Sequence, residues 1–168
     1  AGQVGVSFFL PEFSGVLGAE VKDSTLESVP AGGLLPGLYF ALGPATLFGG
    51  SFYFGTFTSR QHKRSPLLKY ELIELRTNAE LWHFLSGAWG SGLFVKAAGG
   101  YSNLSETATV DATGAESVKR NYFGYGWQGA LGFAFKMEAH TCIGLNYAEY
   151  AYDGVTAKIY SVDFGLLF

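Results

Sequence analysis

The chain has 168 residues, a formal net charge of −3, 48% hydrophobic and 17% aromatic residues, which suits one domain spanning 1–168 with more apolar surface than a soluble core of this size requires. No run of about 18 apolar residues occurs, so a transmembrane helix is excluded, and the slightly acidic balance argues against a nucleic-acid partner. A single cysteine, Cys142, excludes an internal disulfide. No Cys or His stands at ligand spacing around it, so neither a metal nor a cofactor is expected.

Turn signals and alternating runs divide the chain into eight long strands. Ala1-Gly2-Gln3 carries no basic, apolar leader, as expected of a start left by removal of a secretory signal. The first strand begins near Gln3 with Val4, Val6, Phe8 and Leu10 on one face, and Pro11 predicts a bulge or edge kink. Residues 15–22 read as a continuation of it and 23–30 as a polar surface loop. The second strand, from about Gly33, places Leu38, Phe40 and Leu42 together and ends at Gly43-Pro44-Ala45. The third runs from about Thr46 to Thr58, before the basic loop of Arg60, His62, Lys63 and Arg64.

The fourth strand spans 67–85 and the fifth 93–101, with the turn 86–92 between them. The Thr/Ala/Ser-rich stretch 102–117 reads as the longest loop. The sixth strand spans 119–135, 136–138 is a turn, and the seventh spans 141–152. Asp153-Gly154 matches a two-residue hairpin that needs a positive φ, and 155–168 forms the eighth strand. An even strand count places both ends of the chain on one side of a barrel.

The alternation carries chemistry. On the fourth strand Ile73, Leu75, Thr77, Ala79 and Leu81 share one face, and Glu74, Arg76, Asn78 and Glu80 share the other. A charge facing lipid near the bilayer midplane costs several kcal/mol, so the charged face must point inward. Lys96, Gln128, Asn146 and Asp163 have the alternation to meet it, giving an interior polar network. Such a network either plugs the lumen with salt bridges or lines an ion-conducting or catalytic one, and an eight-stranded interior has room for little beyond side chains, which favours the plug. The sixth strand sets Phe123, Tyr125, Trp127, Leu131, Phe133 and Phe135 against Gly124, Gly126, Gln128, Ala130, Gly132 and Ala134. The small face is expected to leave room for large charged partners across the lumen, or for an acyl chain. Trp82, Trp89, Tyr122, Trp127, Tyr147, Tyr150, Tyr152 and Tyr160 are candidates for interfacial aromatic girdles.

The last strand alternates strictly, with Tyr160, Val162, Phe164, Leu166 and Phe168 on one face up to a terminal aromatic residue. This ending resembles the carboxy-terminal assembly signal of bacterial outer-membrane β-barrels. The whole chain resembles, by pattern, the small eight-stranded members, the group that includes the OmpA transmembrane domain and the OmpX-like proteins. The resemblance implies an all-β fold: a closed antiparallel transmembrane barrel in the outer membrane with periplasmic termini. It also implies contact with outer-membrane lipid and lipopolysaccharide, and with the barrel-assembly machinery during insertion.

Some barrels of this architecture edit lipid A. The lipid A deacylases carry a His and a Ser two residues apart on a late strand, with a Glu further on. The stretch Leu145-Asn146-Tyr147-Ala148-Glu149-Tyr150 holds neither His nor Ser, so no catalytic residues are assigned. His62 near Ser59 and Ser65 lacks a visible orienting group, and His83 and His140 fall near strand ends. The leading expectation is a non-enzymatic barrel acting at the surface or as an accessory subunit beside another outer-membrane protein. A lipid A-modifying enzyme and a narrow pore or carrier for small hydrophobic molecules remain the alternatives. Arg60, His62, Lys63 and Arg64 are the candidate contacts for lipopolysaccharide phosphate.

Overall fold

The computed structural model describes residues 1–14, 31–60, 68–110, 118–136 and 140–168. The strands are β1 (Gly2–Ser14), β2 (Ala31–Leu34), β3 (Gly37–Ala41), β4 (Thr46–Arg60), β5 (Leu68–Phe84), β6 (Gly92–Val110), β7 (Val118–Phe135), β8 (His140–Tyr152) and β9 (Val155–Leu167). All neighbouring pairs are antiparallel, and β9 returns to pair with β1 from Gln3↔Leu167 to Ser14↔Thr156. Gly2 and Phe168 exchange two further backbone hydrogen bonds, Gly2 N–H to the Phe168 carbonyl at 2.6 Å and Phe168 N–H to the Gly2 carbonyl at 3.0 Å. The sheet is therefore a closed ring, which removes the edges that an open sheet would expose to hydrocarbon.

Eight strands make that ring, because β2 and β3 are one strand. Ser7↔Gly33 and Gln3↔Gly37 belong to one register against β1, as do Gly33↔Gly55 and Gly37↔Ser51 against β4. The break falls at Leu35–Pro36. The Pro36 carbonyl accepts from Phe52 N–H at 2.9 Å, but proline has no N–H to return.

Pro11 does not kink its strand as its type suggested. Gly2 exchanges both its backbone bonds with Phe168, so even-numbered residues of β1 turn their backbone polar groups to β9 and odd-numbered ones turn theirs away. The bond from Leu35 N–H to the Gly5 carbonyl has the same parity. Pro11 thus lacks an N–H on the side where the β1–β9 ladder needs none, and the register continues through Pro11↔Ile159.

The largest departure from the sequence reading is β6. It does not stop at Tyr101 but runs to Val110, through much of the stretch read as a loop. Ser102, Leu104 and Glu106 point inward and are buried, alternating with Tyr101, Asn103 and Ser105. The outward face turns polar beyond Tyr101 while the period of two persists. Threonine is β-branched and fits a strand as well as a loop.

Both termini lie at one end of the barrel, with the turns at 42–45 and 85–91; this is the near end. The Asp153–Gly154 hairpin, where Gly154 has φ +72°, lies at the far end. Within the described residues β4 to β7 run 15, 17, 19 and 18 residues, against 13 each for β8 and β9, which meet at the Asp153–Gly154 hairpin. Pairing of β7 with β8 ends at Gly124↔Tyr152, whereas pairing of β6 with β7 continues to Ala108↔Val118. At the far end the long strands therefore project beyond the β8–β9 hairpin. Among the described residues, residues 118–123 of β7 pair on one side only.

Candidate functional site

Side chains at alternate positions fill the interior in three layers. The near-end layer is apolar and aromatic, built from Leu47, Trp82, Phe84, Phe94, Cys142 and Leu167, with Tyr39 and Ala134. The far-end layer contains Phe9, Leu35, Leu72, Leu104, Val155 and Ile159 with Tyr53, Tyr150 and Tyr152. Charged and amide groups lie between them. Glu74, Arg76, Asn78, Glu80, Lys96, Gln128, Asn146 and Asp163 are all buried, none more than 9% exposed.

The structure brings these eight residues together in two groups and a separate amide pair. Glu80 accepts hydrogen bonds from Tyr39 at 2.7 Å, Ser51 at 2.5 Å and the Trp82 indole at 2.9 Å. Lys96 Nζ stands 3.8 Å from Glu80 and 3.9 Å from Asp163. Toward the far end, Arg76 Nε lies 3.4 Å from Glu74, and its guanidinium sits 3.8 Å above the Tyr53 ring and 5.5 Å from that of Tyr150. Glu74 accepts from Ser102 at 3.1 Å and Tyr152 at 3.2 Å, and Asn78 accepts from Tyr150 at 2.8 Å. Gln128 donates to Asn146 at 2.9 Å. A void of about 10 Å³ remains beside Lys96, Cys142 and Asp163, at the lower limit for a single water.

Several members of this interior escaped the sequence reading. Trp82, Tyr150 and Tyr152, taken as girdle candidates, are inside at 2%, 0% and 8% exposure. Tyr122 and Trp89 pack against the interior clusters. Parity could have found three of them: Trp82 shares its face with Glu80, and Tyr150 and Tyr152 share theirs with Asn146. Of the girdle candidates, Trp127, Tyr147 and Tyr160 face outward and form one cluster, with ring centroids 5.4 and 5.3 Å apart. The small face of β7 makes room for rings rather than for charged groups. A Cβ on Gly124 would meet Tyr152, one on Gly126 would meet Tyr150, and one on Gly132 would meet Phe94. Adjacent strands stand close enough for each ring to lie over its neighbour's backbone, so the space is taken locally rather than from across the lumen.

The outward side is apolar from Val4 to Leu10 on β1 and from Tyr160 to Phe168 on β9. Tyr160, Phe164, Leu166 and Phe168 are exposed and Val162 half-buried, so the alternating ending is the outer wall of the strand that closes the ring. His83 is exposed near the near end, its Nδ1 3.0 Å from Thr46 Oγ1. The His140 ring lies 5.0 Å from that of Trp89. Among the described residues, no three potential metal ligands converge. Of the basic loop, Arg60 ends β4 opposite Lys69, and His62, Lys63 and Arg64 lie outside the described residues, as does Ser65.

No protein-family model and no curated protein sequence matches the chain. Solved structures do. The attachment invasion locus protein Ail of Yersinia pestis, in complex with the heparin analogue sucrose octasulfate, superposes with a TM-score of 0.66 at 10% identity, over 98% of this chain and 96% of Ail. A second Ail structure gives 0.64 at 12% identity over the same shares. Neisserial surface protein A gives 0.61 at 11% identity over 99% of this chain and 97% of that one. At these identities the likeness is one of fold. Together with the closed ring, the apolar outer wall and the charged interior, it makes this chain an all-β barrel with the fold of the small eight-stranded outer-membrane proteins.

Proposed function

We propose that the protein is a non-enzymatic outer-membrane barrel that acts by binding at the cell surface. The observation that carries this reading is that, among the described residues, 118–123 of β7 pair on one side only, on strands that project past the β8–β9 hairpin. A strand edge of this kind offers a row of backbone donors and acceptors to an extended segment of another protein. Lys119 on that edge is exposed. Its charge opposes pairing of two such edges and favours a partner strand carrying acidic residues. With both termini and the turns at 42–45 and 85–91 at the near end, the near end faces the periplasm and the projecting sheet faces outward.

The filled interior supports this reading over the pore and the enzyme. Among the described residues the layered side chains fill the interior of the barrel and leave no slot for an acyl chain. The alternating wall from Tyr160 to Phe168 is the segment the barrel-assembly machinery would recognise. Arg60, His62, Lys63 and Arg64 supply a second binding element, suited to phosphate on lipopolysaccharide. The complex of Ail with a polysulfated sugar supports polyanion binding at the surface of this fold.

The test is adhesion of bacteria displaying the protein to immobilised extended acidic peptides. Arg120→Pro and Asn121→Pro each remove one N–H from β7, and being adjacent they remove one from each side of the strand. The variant that strips the free side should lose adhesion while keeping heat-modifiable migration, the mark of a folded barrel. Undiminished adhesion in both folded variants would refute the edge as the binding element.

A further inference from the structure

Hydrogen-bond parity fixes which backbone groups of β7 lie on its free side. Leu85 N–H donates to the Leu93 carbonyl at 2.8 Å, so odd-numbered residues of β6 turn their backbone polar groups to β5 and even-numbered ones to β7. β6 and β7 pair even with even, as in Gly92↔Ala134. Odd-numbered residues of β7 therefore turn theirs to β8. Going round the ring the other way, from Gly2 and Phe168 through Cys142↔Gly165 and Phe133↔Ile143, gives the same parity. β8 leaves this ladder at Tyr152 and turns at Asp153–Gly154. Among the described residues, the N–H and C=O groups of Lys119, Asn121 and Phe123 thus have no strand beside them. Their side chains share the outward face and are exposed, Phe123 by 66%. Lys119 lies opposite Thr107 on β6, which offers it no opposite charge. Asn121 accepts from the Ser105 hydroxyl at 2.8 Å, which leaves its amide NH2 to donate elsewhere. The inward neighbour Tyr122 is half-buried and packs against the far-end layer.

We propose that this edge takes an antiparallel strand whose side chains it selects position by position, with two apolar residues first, then a hydroxyl, and an acid two residues beyond the hydroxyl. The inference rests on the edge being the binding element. Antiparallel pairing lets Lys119, Asn121 and Phe123 each exchange two hydrogen bonds with the residue opposite. The first partner residue, counted from its amino end, lies opposite Phe123 and is apolar because it stands beside an exposed ring. The second, opposite Tyr122, points inward toward the far-end layer and is apolar for that reason. The third meets the Asn121 amide and carries an acceptor such as a hydroxyl. The fifth lies opposite Lys119 and is acidic, since opposite charges directly across a strand pair stabilise it. Side-chain direction alternates, so an acid at the sixth position falls on the inward face and misses Lys119. The hairpin at Asp153–Gly154 closes the lower end of the slot, so the partner cannot slide to restore the match.

The test uses the full chain in nanodiscs and acetylated peptides with a fluorescent carboxy-terminal tag, their binding followed by anisotropy. Val-Val-Thr-Thr-Glu-Thr matches the edge. Val-Val-Thr-Thr-Thr-Glu moves the acid to the inward face, and Thr-Glu-Thr-Thr-Val-Val reverses the order and suits a parallel strand instead. Each change keeps the composition and should weaken binding about fivefold, the factor that roughly 1 kcal/mol of one cross-strand charge pair gives. Lys119→Glu, a change at an exposed side chain, should invert the preference in favour of Val-Val-Thr-Thr-Lys-Thr. Asn121→Pro removes an N–H from the free side and should abolish binding of every peptide while heat-modifiable migration shows a folded barrel. Equal binding of the matched, moved and reversed peptides, or a preference unchanged by Lys119→Glu, overturns the proposal. If Asn121→Pro still abolishes binding in that case, the edge stands and only its selectivity falls, whereas binding of no peptide removes both. Self-association of the barrel that Asn121→Pro abolishes also overturns the proposal, because it assigns the edge to a second copy.

Discussion

The two charged groups of the interior lie on the same face of β5, six residues apart from Glu74 to Glu80, yet they hold charge in different ways. Around Glu80 a carboxylate is saturated: three neutral donors and Lys96 surround it. Around Arg76 a guanidinium is stacked. It rests on the Tyr53 ring, its Nε makes no hydrogen bond, and its contact with Glu74 is a 3.4 Å approach. A carboxylate accepts at several lone pairs, so converging donors stabilise it. A planar, weakly hydrated guanidinium tolerates an aromatic face in place of full hydrogen bonding. The same alternation of polar residues can therefore be buried by two chemistries, and the choice depends on what neighbouring strands supply.

The contrast fails most readily at Glu80. Glu80→Ala removes the acceptor of three donors and leaves Lys96 with Asp163 alone, and should destabilise the barrel by about 3–5 kcal/mol. The unfolding midpoint in urea, followed by Trp fluorescence in lipid vesicles, measures it. Glu80→Gln keeps one acceptor oxygen and should lose clearly less. Equal losses would mean that charge, not hydrogen bonding, dominates there.

A smaller loss is expected from crowding the near-end layer. A Cβ on Gly132 would meet the Ile143 carbonyl oxygen as well as the Phe94 ring, which itself lies 4.8 Å from that of Trp82. Gly132→Ala should cost about 1–3 kcal/mol. On the outer wall, Gly99→Ala meets backbone only at 3.7 Å and should be close to neutral in the same assay. Equal effects would contradict the close ring-over-backbone packing.

Arg76→Lys exchanges a stacked plane for a compact ammonium and should cost about 1–2 kcal/mol. A loss as large as that of Glu80→Ala would erase the distinction between the groups. A smaller loss again is expected at Ser161, whose hydroxyl donates to Asp163 at 3.2 Å in a half-buried position. Ser161→Ala should cost no more than about 1 kcal/mol, the net worth of one ordinary hydrogen bond.

The alternation of Glu74, Arg76, Asn78 and Glu80 with Ile73, Leu75, Ala79 and Leu81 was enough, read alone, to separate inner from outer wall on β5. The same period of two marked β9 and its hairpin, because side-chain direction in a strand is a local property of the backbone. Eight strands were legible for that reason, and Leu35–Pro36 divides one of them without changing its register. The extent of β6 was not legible. Beyond Tyr101 its outward residues lie past the apolar wall, and polar residues in a strand then resemble those in a loop.

Which residues meet inside was decided only by tertiary structure. Tyr39, Ser51 and Trp82 converge on Glu80 from β3, β4 and β5, and Tyr53, Tyr150 and Tyr152 reach the Arg76 group from β4 and β8. That convergence depends on the stagger between strands accumulated around the ring. So does the projecting edge of β7, set by where β8 stops. Local sequence determines the face on which a side chain lies, whereas closure of the ring determines what it faces.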